Sequence, residues 1–172
     1  MKYFTYAALL MLLAASPALG TDTALHARAD IMDSGGENVG KAVFTETADG
    51  VRIVLEVHDL PPGLHGIHIH EAGECKIPDF KSAGGHFNPA GKQHGAKNPQ
   101  GAHAGDLPNL QIQPDGTAKA VLINPHVTLA PGNSSLFHDA GTSLVIHAGP
   151  DDELTDPSGN SGDRIACGVI TR

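Results

Sequence analysis

Apolar and polar residues alternate along several short segments of the chain. The clearest alternation sets Val51, Ile53, Leu55 and Val57 against Arg52, Val54, Glu56 and His58. A period of two is typical of a β-strand with one face in a core and the other in water. Similar patterns predict further strands at residues 24–32, 41–46, 63–70, 117–124, 142–147 and 165–170. Short strands joined by turns rich in glycine and proline favour an antiparallel sandwich or barrel.

Two long segments, residues 71–109 and 148–164, do not fit this strand pattern. Both are rich in Gly, Asn, Asp and Pro. Loops of this length inside a compact domain are usually functional or disordered. No internal repeat or linker divides the chain, so we expect a single domain over residues 21–172.

Residues 1–20, MKYFTYAALLMLLAASPALG, resemble a secretory signal peptide. Lys2 supplies the positive start, an apolar run too short to span a bilayer follows, and Ala18 to Gly20 are small residues at a cleavage spacing. The alternative is a buried N-terminal helix. We expect an exported protein, periplasmic or extracellular, with no membrane span in its mature part.

Charge and cysteine content add two expectations. The formal charge of −8 becomes −9 when Lys2 leaves with the leader, which argues against nucleic acid as a partner. The chain has two cysteines, Cys75 and Cys167. Export to an oxidising compartment favours one disulfide between them over two free thiols.

The stretch GLHGIHIHE, residues 63–71, places histidines on a predicted strand. Because alternate residues of a strand face opposite sides, Ile67 and Ile69 would point into the core, while His68 and His70 point away from it together. Two imidazoles on one face can bind one metal ion. For this motif alone, a pair of exposed surface histidines is the simpler interpretation.

Five further candidate ligands change that interpretation. The first long segment carries His86, His94, His103 and Asp106, and the strand SLVIHAG ends at His147. Imidazole suits zinc and copper, and a single carboxylate suits zinc. Seven ligands exceed one tetrahedral site, so the sequence predicts two ions that share a ligand.

The motifs GLHGIHIHE, GGHFNP, HAGDLP and RIACGVI, in this order, resemble the copper–zinc superoxide dismutase family over nearly all of residues 24–171. The resemblance implies an eight-stranded antiparallel Greek-key β-barrel, with the metals outside it under two long loops. It also implies dismutation of superoxide to oxygen and hydrogen peroxide, through redox cycling of a histidine-bound copper next to a structural zinc. One copper and one zinc are expected per chain.

The resemblance also assigns the individual residues. It implies copper ligation by His68, His70, His86 and His147, and zinc ligation by His86, His94, His103 and Asp106. The shared His86 would be a bridging imidazolate with a catalytic role. Asp151 would hold His68 and His94 in orientation, and His65 would brace the barrel. Arg164 would guide the anion to the copper. The resemblance also implies a disulfide between Cys75 and Cys167.

The spacing between Cys75 and His86, eleven positions, resembles the bacterial exported members of the family. This resemblance implies a monomer or a homodimer that uses a different barrel face from the eukaryotic dimer. The acidic second loop lacks steering lysines, so Lys92 and Lys97 beside His94 become candidates for attracting the anion, although they are equally well read as ordinary surface lysines.

Three other functions compete with an active dismutase. A non-catalytic relative of the same fold would lack copper ligands, and a metal-storage module would have no reason to keep Arg164. A hydrolase is disfavoured because no serine lies in a nucleophile-elbow pattern. The complete set of candidate copper ligands favours the dismutase.

Overall fold

The computed structural model describes residues 24–172. This part contains nine β-strands and a short 3-10 helix, Lys81–Ala83, and no α-helix. The strands are β1 (His26–Asp33), β2 (Asn38–Thr47), β3 (Gly50–Val57), β4 (Gly63–His65), β5 (Ile67–His70), β6 (Leu110–Ile112), β7 (Ala118–Asn124), β8 (Ser143–His147) and β9 (Arg164–Val169). The predicted leader, residues 1–20, lies outside the described residues.

The strands pair in an antiparallel manner throughout. Seven of them form one sheet in the order β5-β8-β9-β1-β2-β3-β7, and β4 pairs with β6. This confirms the predicted all-β antiparallel class. The eight-stranded Greek-key barrel stays a prediction. The nine observed strands agree with the number eight if β4 and β5 are counted as one interrupted strand.

The interruption lies at Gly66, inside the stretch predicted as one strand. Its N–H donates to the carbonyl of Gly149 at 2.8 Å, and its own carbonyl accepts from the N–H of His147 at 2.9 Å. A side chain at this position would lie 2.8 Å from Cβ of Ser161. Gly66 therefore brings the second long loop against the strand. Strand β6 was not predicted, because three residues are too few to show an alternation.

The main core follows the predicted alternation. It is formed by inward residues of β1, β2 and β3, including Ile31, Phe44 and Leu55, which pack against Ile67 and Ile69 of β5. Leu144 and Ile146 of β8 complete this side. The same alternation turns His68, His70 and His147 to the opposite face of β5 and β8.

That opposite face is covered by a smaller apolar cluster and by a disulfide. Phe80, Ala83, Val145 and Cys167 are fully buried together, with Cys75 packed against them. Cys75 and Cys167 are disulfide-bonded, with Cα atoms 5.7 Å apart. The bond anchors the first long loop to β9 and confirms the predicted pairing.

Within residues 24–172, the structure has no helix that is long and apolar enough to cross a membrane.

Candidate metal centre

Three candidate ligands come from two neighbouring strands. His68 and His70 lie on β5, and His147 ends β8, which pairs with β5. All three side chains are buried although they face away from the main core, because the two long loops cover them. The sequence predicted their common face and did not predict their burial.

The remaining candidate ligands come from the first long loop. His86 forms an isolated antiparallel bridge with His70, and Asp106 forms one with His68, so the loop is held against β5 at two points. His94 and His103 lie between them in the chain, and both are buried. Loop and strand together thus bring all seven candidate ligands into one centre.

One side of this centre consists of imidazoles alone. The possible ligand atoms of His68, His70, His86 and His147 all lie within 4.8 Å of one another. Nδ1 of His70 lies 3.0 Å from the carbonyl of Gly84, and Nδ1 of His147 lies 3.2 Å from the carbonyl of Gly162. If each Nδ1–H donates to its carbonyl, the Nε2 lone pairs of these two rings face inward, 3.4 Å apart.

Two buried ring nitrogens in this centre lack a hydrogen-bond partner among residues 24–172. They are Nδ1 of His68 and Nε2 of His86. Nε2 of His68 lies 2.8 Å from Oδ2 of Asp151, so its unpartnered Nδ1 is the free nitrogen of that ring. Because a buried polar atom without a partner costs free energy, these two nitrogens fit a metal ion between the rings.

The other side of the centre is organised around Asp106. Its Oδ1 lies 2.9 Å from Nδ1 of His86, 3.1 Å from Nδ1 of His94 and 3.4 Å from Nδ1 of His103. Ligand atoms of a tetrahedral zinc ion, with bonds of about 2.0–2.1 Å, stand roughly 3.3 Å apart. The spacing and the mixed imidazole–carboxylate donors therefore fit zinc.

The two sides meet at the ring of His86. Its Nδ1 belongs to the group around Asp106, and its unpartnered Nε2 belongs to the group of imidazoles. A second compact group, His68, His86, His94 and Asp106, overlaps the first and shows how close the two sides are. His103 is not in that compact group, although its Nδ1 also lies 3.4 Å from Nδ1 of His86.

Burial sets the protonation of the imidazole side. It lowers the pKa of His70 to about 2 and that of His147 to about 3. Burial also lowers the pKa of His86 to about 4, although Asp106 opposes the shift. These rings are neutral near pH 7, which is the form that binds metal.

Carboxylates set the protonation of the other side. Burial opposes the charged ring of His94, but hydrogen bonds to Asp106 and Asp151 overcome it and raise the pKa of His94 to about 9. Although burial disfavours its charge, the pKa of Asp106 lies well below its usual range because three histidines surround it. A proton on His94 therefore stabilises this side of the centre without a metal.

Asp151, from the second long loop, links the two sides. Its two carboxylate oxygens lie 2.8 Å from Nε2 of His68 and 2.9 Å from Nε2 of His94. Its backbone is held by Asn109, which donates to the carbonyl and accepts from the N–H of Asp151, both at 2.8 Å. The family resemblance indicated Asp151. It gave no signal for Asn109, whose partner lies 42 positions away.

Arg164 and His65, for which supporting roles were predicted, both contact backbone carbonyls. The guanidinium of Arg164 donates to the carbonyls of Phe80 and Gly84, each at 2.6 Å. His65 is buried, with its ring nitrogens 2.7 Å from the carbonyl of His147 and 2.9 Å from that of Pro61. Each residue thus contacts the backbone that positions a candidate ligand.

Two lysines near the centre lie beside carboxylates. Nζ of Lys97 lies 3.1 Å from a carboxylate oxygen of Glu153, and Nζ of Lys81, near Arg164, lies 2.9 Å from Asp79. Lys92 is exposed. The suggested steering role of Lys92 and Lys97 remains a prediction.

Comparisons with known proteins agree with this chemistry. The family model described as copper/zinc superoxide dismutase matches residues 38–170. Superoxide dismutase (Cu-Zn) 2 of Aquifex aeolicus is 54% identical over 148 residues, which cover 85% of this chain and 86% of that protein. The corresponding enzyme of Caulobacter vibrioides is 46% identical over 138 residues, covering 78% and 79%.

Solved structures show the same fold. A SOD-like protein from Bacillus subtilis superposes with a TM-score of 0.81 at 42% identity, covering 83% of this chain and 96% of that one. Cu/Zn superoxide dismutase from Brucella abortus gives 0.69 at 30% identity, covering 84% and 99%. The chain belongs to the copper/zinc superoxide dismutase family.

Proposed function

We propose that this protein dismutates superoxide to oxygen and hydrogen peroxide, using one copper and one zinc per chain. Copper is held by His68, His70, His86 and His147, and zinc by His86, His94, His103 and Asp106. The observation that carries the proposal is the ring of His86. One of its nitrogens lies among carboxylate-linked histidines, while the other is buried and unpartnered among three neutral imidazoles.

The bound metals supply chemistry that side chains lack, since copper exchanges single electrons and zinc acts as a Lewis acid that acidifies its ligands. The chain's own contribution begins with orientation. Asp151 turns Nδ1 of His68 inward, and two backbone carbonyls do the same for Nε2 of His70 and His147. These partners fix the ring orientations before a metal binds, as carboxylates and carbonyls around metal sites commonly do.

Arg164 supplies the positive charge that a small anion requires. The carbonyl of Gly84 accepts from both Arg164 and His70, so one peptide group positions the guanidinium relative to the copper side. Hydrogen bonds to charged groups are the stronger kind, so the guanidinium is firmly oriented. In this proposal Arg164 attracts superoxide and holds it beside the copper ligands.

His86 can also hold a proton for the substrate. Its low pKa keeps the free ring neutral, and its one proton lies on Nδ1, which donates to Oδ1 of Asp106 at 2.9 Å. If zinc were bound at Nδ1, a proton on this ring would have to be on Nε2, which faces the copper side. We therefore assign His86 a catalytic role as the proton donor nearest to the reduced product.

We further propose that the protein is exported, with residues 1–20 as a leader, and works in the periplasm or outside the cell as a monomer or a homodimer. The Cys75–Cys167 disulfide supports an oxidising compartment.

The test combines metal analysis with a superoxide-decay assay on the mature protein. Chelation should abolish the decay, and copper added back to zinc-containing protein should restore it. A metal-storage protein would bind both ions without accelerating the decay, which would contradict the proposal. His126→Ala serves as a control, because His126 is exposed and outside the centre.

A further inference from the structure

The acidic second long loop is attached to the zinc side of the centre at several points. The carbonyl of Glu153 accepts from the N–H of Lys97 at 2.9 Å, and that of Leu154 accepts from the side chain of Asn98 at 3.3 Å. Gly95 lies so close to the carbonyl of Glu153 that any side chain there would overlap it. The two loops thus form one packed unit around the zinc ligands.

Besides Asp151, a second acidic residue of this loop, Asp156, lies close to two candidate zinc ligands. Its Oδ1 accepts a hydrogen bond from the backbone N–H of His94 at 2.7 Å. The same oxygen lies 3.8 Å from Nε2 of His103, the nitrogen that points away from Asp106. One carboxylate therefore restrains the backbone of one ligand and faces the outer ring nitrogen of another.

The separation of 3.8 Å is longer than a hydrogen bond, unlike the 2.9 Å contact of Asp151 with Nε2 of His94, so Asp156 acts on His103 as a nearby negative charge. A carboxylate beside the outer nitrogen of a metal-binding histidine favours the tautomer whose inner nitrogen is free, and it raises the basicity of that nitrogen. For His103, a proton on Nε2 leaves Nδ1 free, and Nδ1 lies 3.4 Å from Oδ1 of Asp106. The side chain of Asp156 is half-exposed, so its influence comes from geometry and not from deep burial.

The neighbouring acid Asp152 has a different task. It accepts from the backbone N–H groups of Leu154 and Thr155 and from the side chain of Asn160, all within its own loop. Asp152 carries the same charge at nearly the same place without these contacts to zinc ligands. It is therefore a matched control for the loss of a negative charge in this loop.

We propose that Asp156 is a positioning residue of the zinc site, which fixes the backbone of His94 and orients the ring of His103. The presence of zinc in this inference rests on the proposed function. The placement of Asp156 rests on the contacts described above. Acidic residues in this loop do not help to attract an anion. The proposal gives one of them, Asp156, a structural reason, because it joins the two long loops.

The experiment compares wild type with Asp156→Ala, Asp156→Asn and Asp152→Asn. Zinc affinity is measured by competition with a chelator, and backbone exchange of the His94 amide is measured on metal-free protein. Asp156→Ala should bind zinc about 10–100-fold more weakly, the usual effect of losing such a partner. It should also exchange the His94 amide faster. Asp152→Asn should match wild type in both.

Asp156→Asn separates the two contacts. Its amide oxygen still accepts from the N–H of His94, so amide protection should be restored, while zinc affinity stays reduced because the charge beside His103 is gone. In the zinc-loaded protein, the ¹⁵N shift of His103 Nε2 should move in both Asp156 variants and not in Asp152→Asn.

Unchanged His94 exchange in metal-free Asp156→Ala would overturn the inference without reference to zinc. Wild-type zinc affinity in Asp156→Asn would overturn the role assigned to the charge. Equal losses of zinc affinity in Asp156→Asn and Asp152→Asn would also overturn it, since they would show a general charge effect. Failure of the wild type itself to bind zinc would instead contradict the proposed function.

Discussion

The two nitrogens of His86 face two differently built halves of one metal centre. On the copper side, neutral imidazoles are oriented mainly by backbone carbonyls, and burial keeps their pKa values low. On the zinc side, Asp106 and Asp151 raise the pKa of His94 to about 9. The surroundings thus lower the histidine pKa values on the copper side and raise the pKa of His94 on the zinc side.

The difference has a consequence for the metal-free protein. On the zinc side, a proton on His94 can take the place of the cation between two carboxylates. On the copper side, Nδ1 of His68 and Nε2 of His86 stay without partners among the described residues. We infer that zinc must compete with a proton for its ligands, whereas copper fills positions that the chain leaves unsatisfied.

Removing a ligand that belongs to one half should have the largest effect. His147 lies on the copper side, so His147→Ala should abolish copper binding and superoxide decay while zinc remains at one per chain. Metal analysis and the decay assay on the same sample check this. Full activity in His147→Ala would refute the ligand assignment, and His126→Ala should behave as wild type.

We expect loss of the disulfide to affect the copper side more than the zinc side. Cys75 and Cys167 anchor the loop whose Phe80 and Gly84 carbonyls hold Arg164. Replacing both cysteines with serine opens a loop of 92 residues and should lower the free energy of unfolding by about 4–5 kcal/mol on the chain-entropy account.

Urea unfolding measures that loss, and the decay assay shows which half depends on the bond. Activity should fall while zinc stays bound. A variant with unchanged stability, or one that loses zinc before activity, would contradict the selective role of the disulfide.

Asp151 contacts one histidine of each half, so its replacement should affect both halves. Asp151→Asn cannot accept from both His68 and His94 as a carboxylate does. Zinc affinity should therefore fall by about 10–100-fold. Chelator competition measures the change, with Asp152→Asn as the charge-matched control, and an affinity equal to that of wild type would show that Asp151 does not orient His94.

The two halves should give opposite pH dependences to the stability of metal-free protein. The pKa values of His70, His147 and His86 lie below the unfolded value of 6.5. Their contribution is present above pH 6.5 and is lost as the pH falls below it, because the unfolded chain then binds protons that the folded chain does not. The raised pKa of His94 contributes below pH 6.5 and is lost as the pH rises through about 9.

The free energy of unfolding should therefore be greatest near pH 6.5 and decline on both sides between pH 5 and 9. Urea titrations of chelated protein measure it, and His94→Ala should remove the alkaline decline while keeping the acidic one. A flat profile would contradict the contrast between the halves.

Much of this centre could be predicted from the sequence, because strand alternation is local. It placed His68 and His70 on one face and His147 on another strand with the same orientation, and the family resemblance indicated how the loop residues combine. The pairing of Cys75 with Cys167 followed from export and was confirmed.

Other features depend on contacts between distant segments and leave no local pattern. Gly66 ends β4 because the second loop approaches it, Asn109 holds the backbone of Asp151, and Asp156 reaches the backbone of His94. Glycine, asparagine and aspartate are ordinary loop residues, so their types alone do not reveal these partners.

The central claim is that His86 joins two metals, and anomalous diffraction from crystals of the metal-loaded protein tests it most directly. Data collected at the copper and zinc absorption edges should give two separate peaks on opposite sides of the His86 ring. The zinc peak should lie about 2.0–2.1 Å from Nδ1 and the copper peak at a similar distance from Nε2. A single peak, or two peaks of which one does not contact His86, would contradict the account.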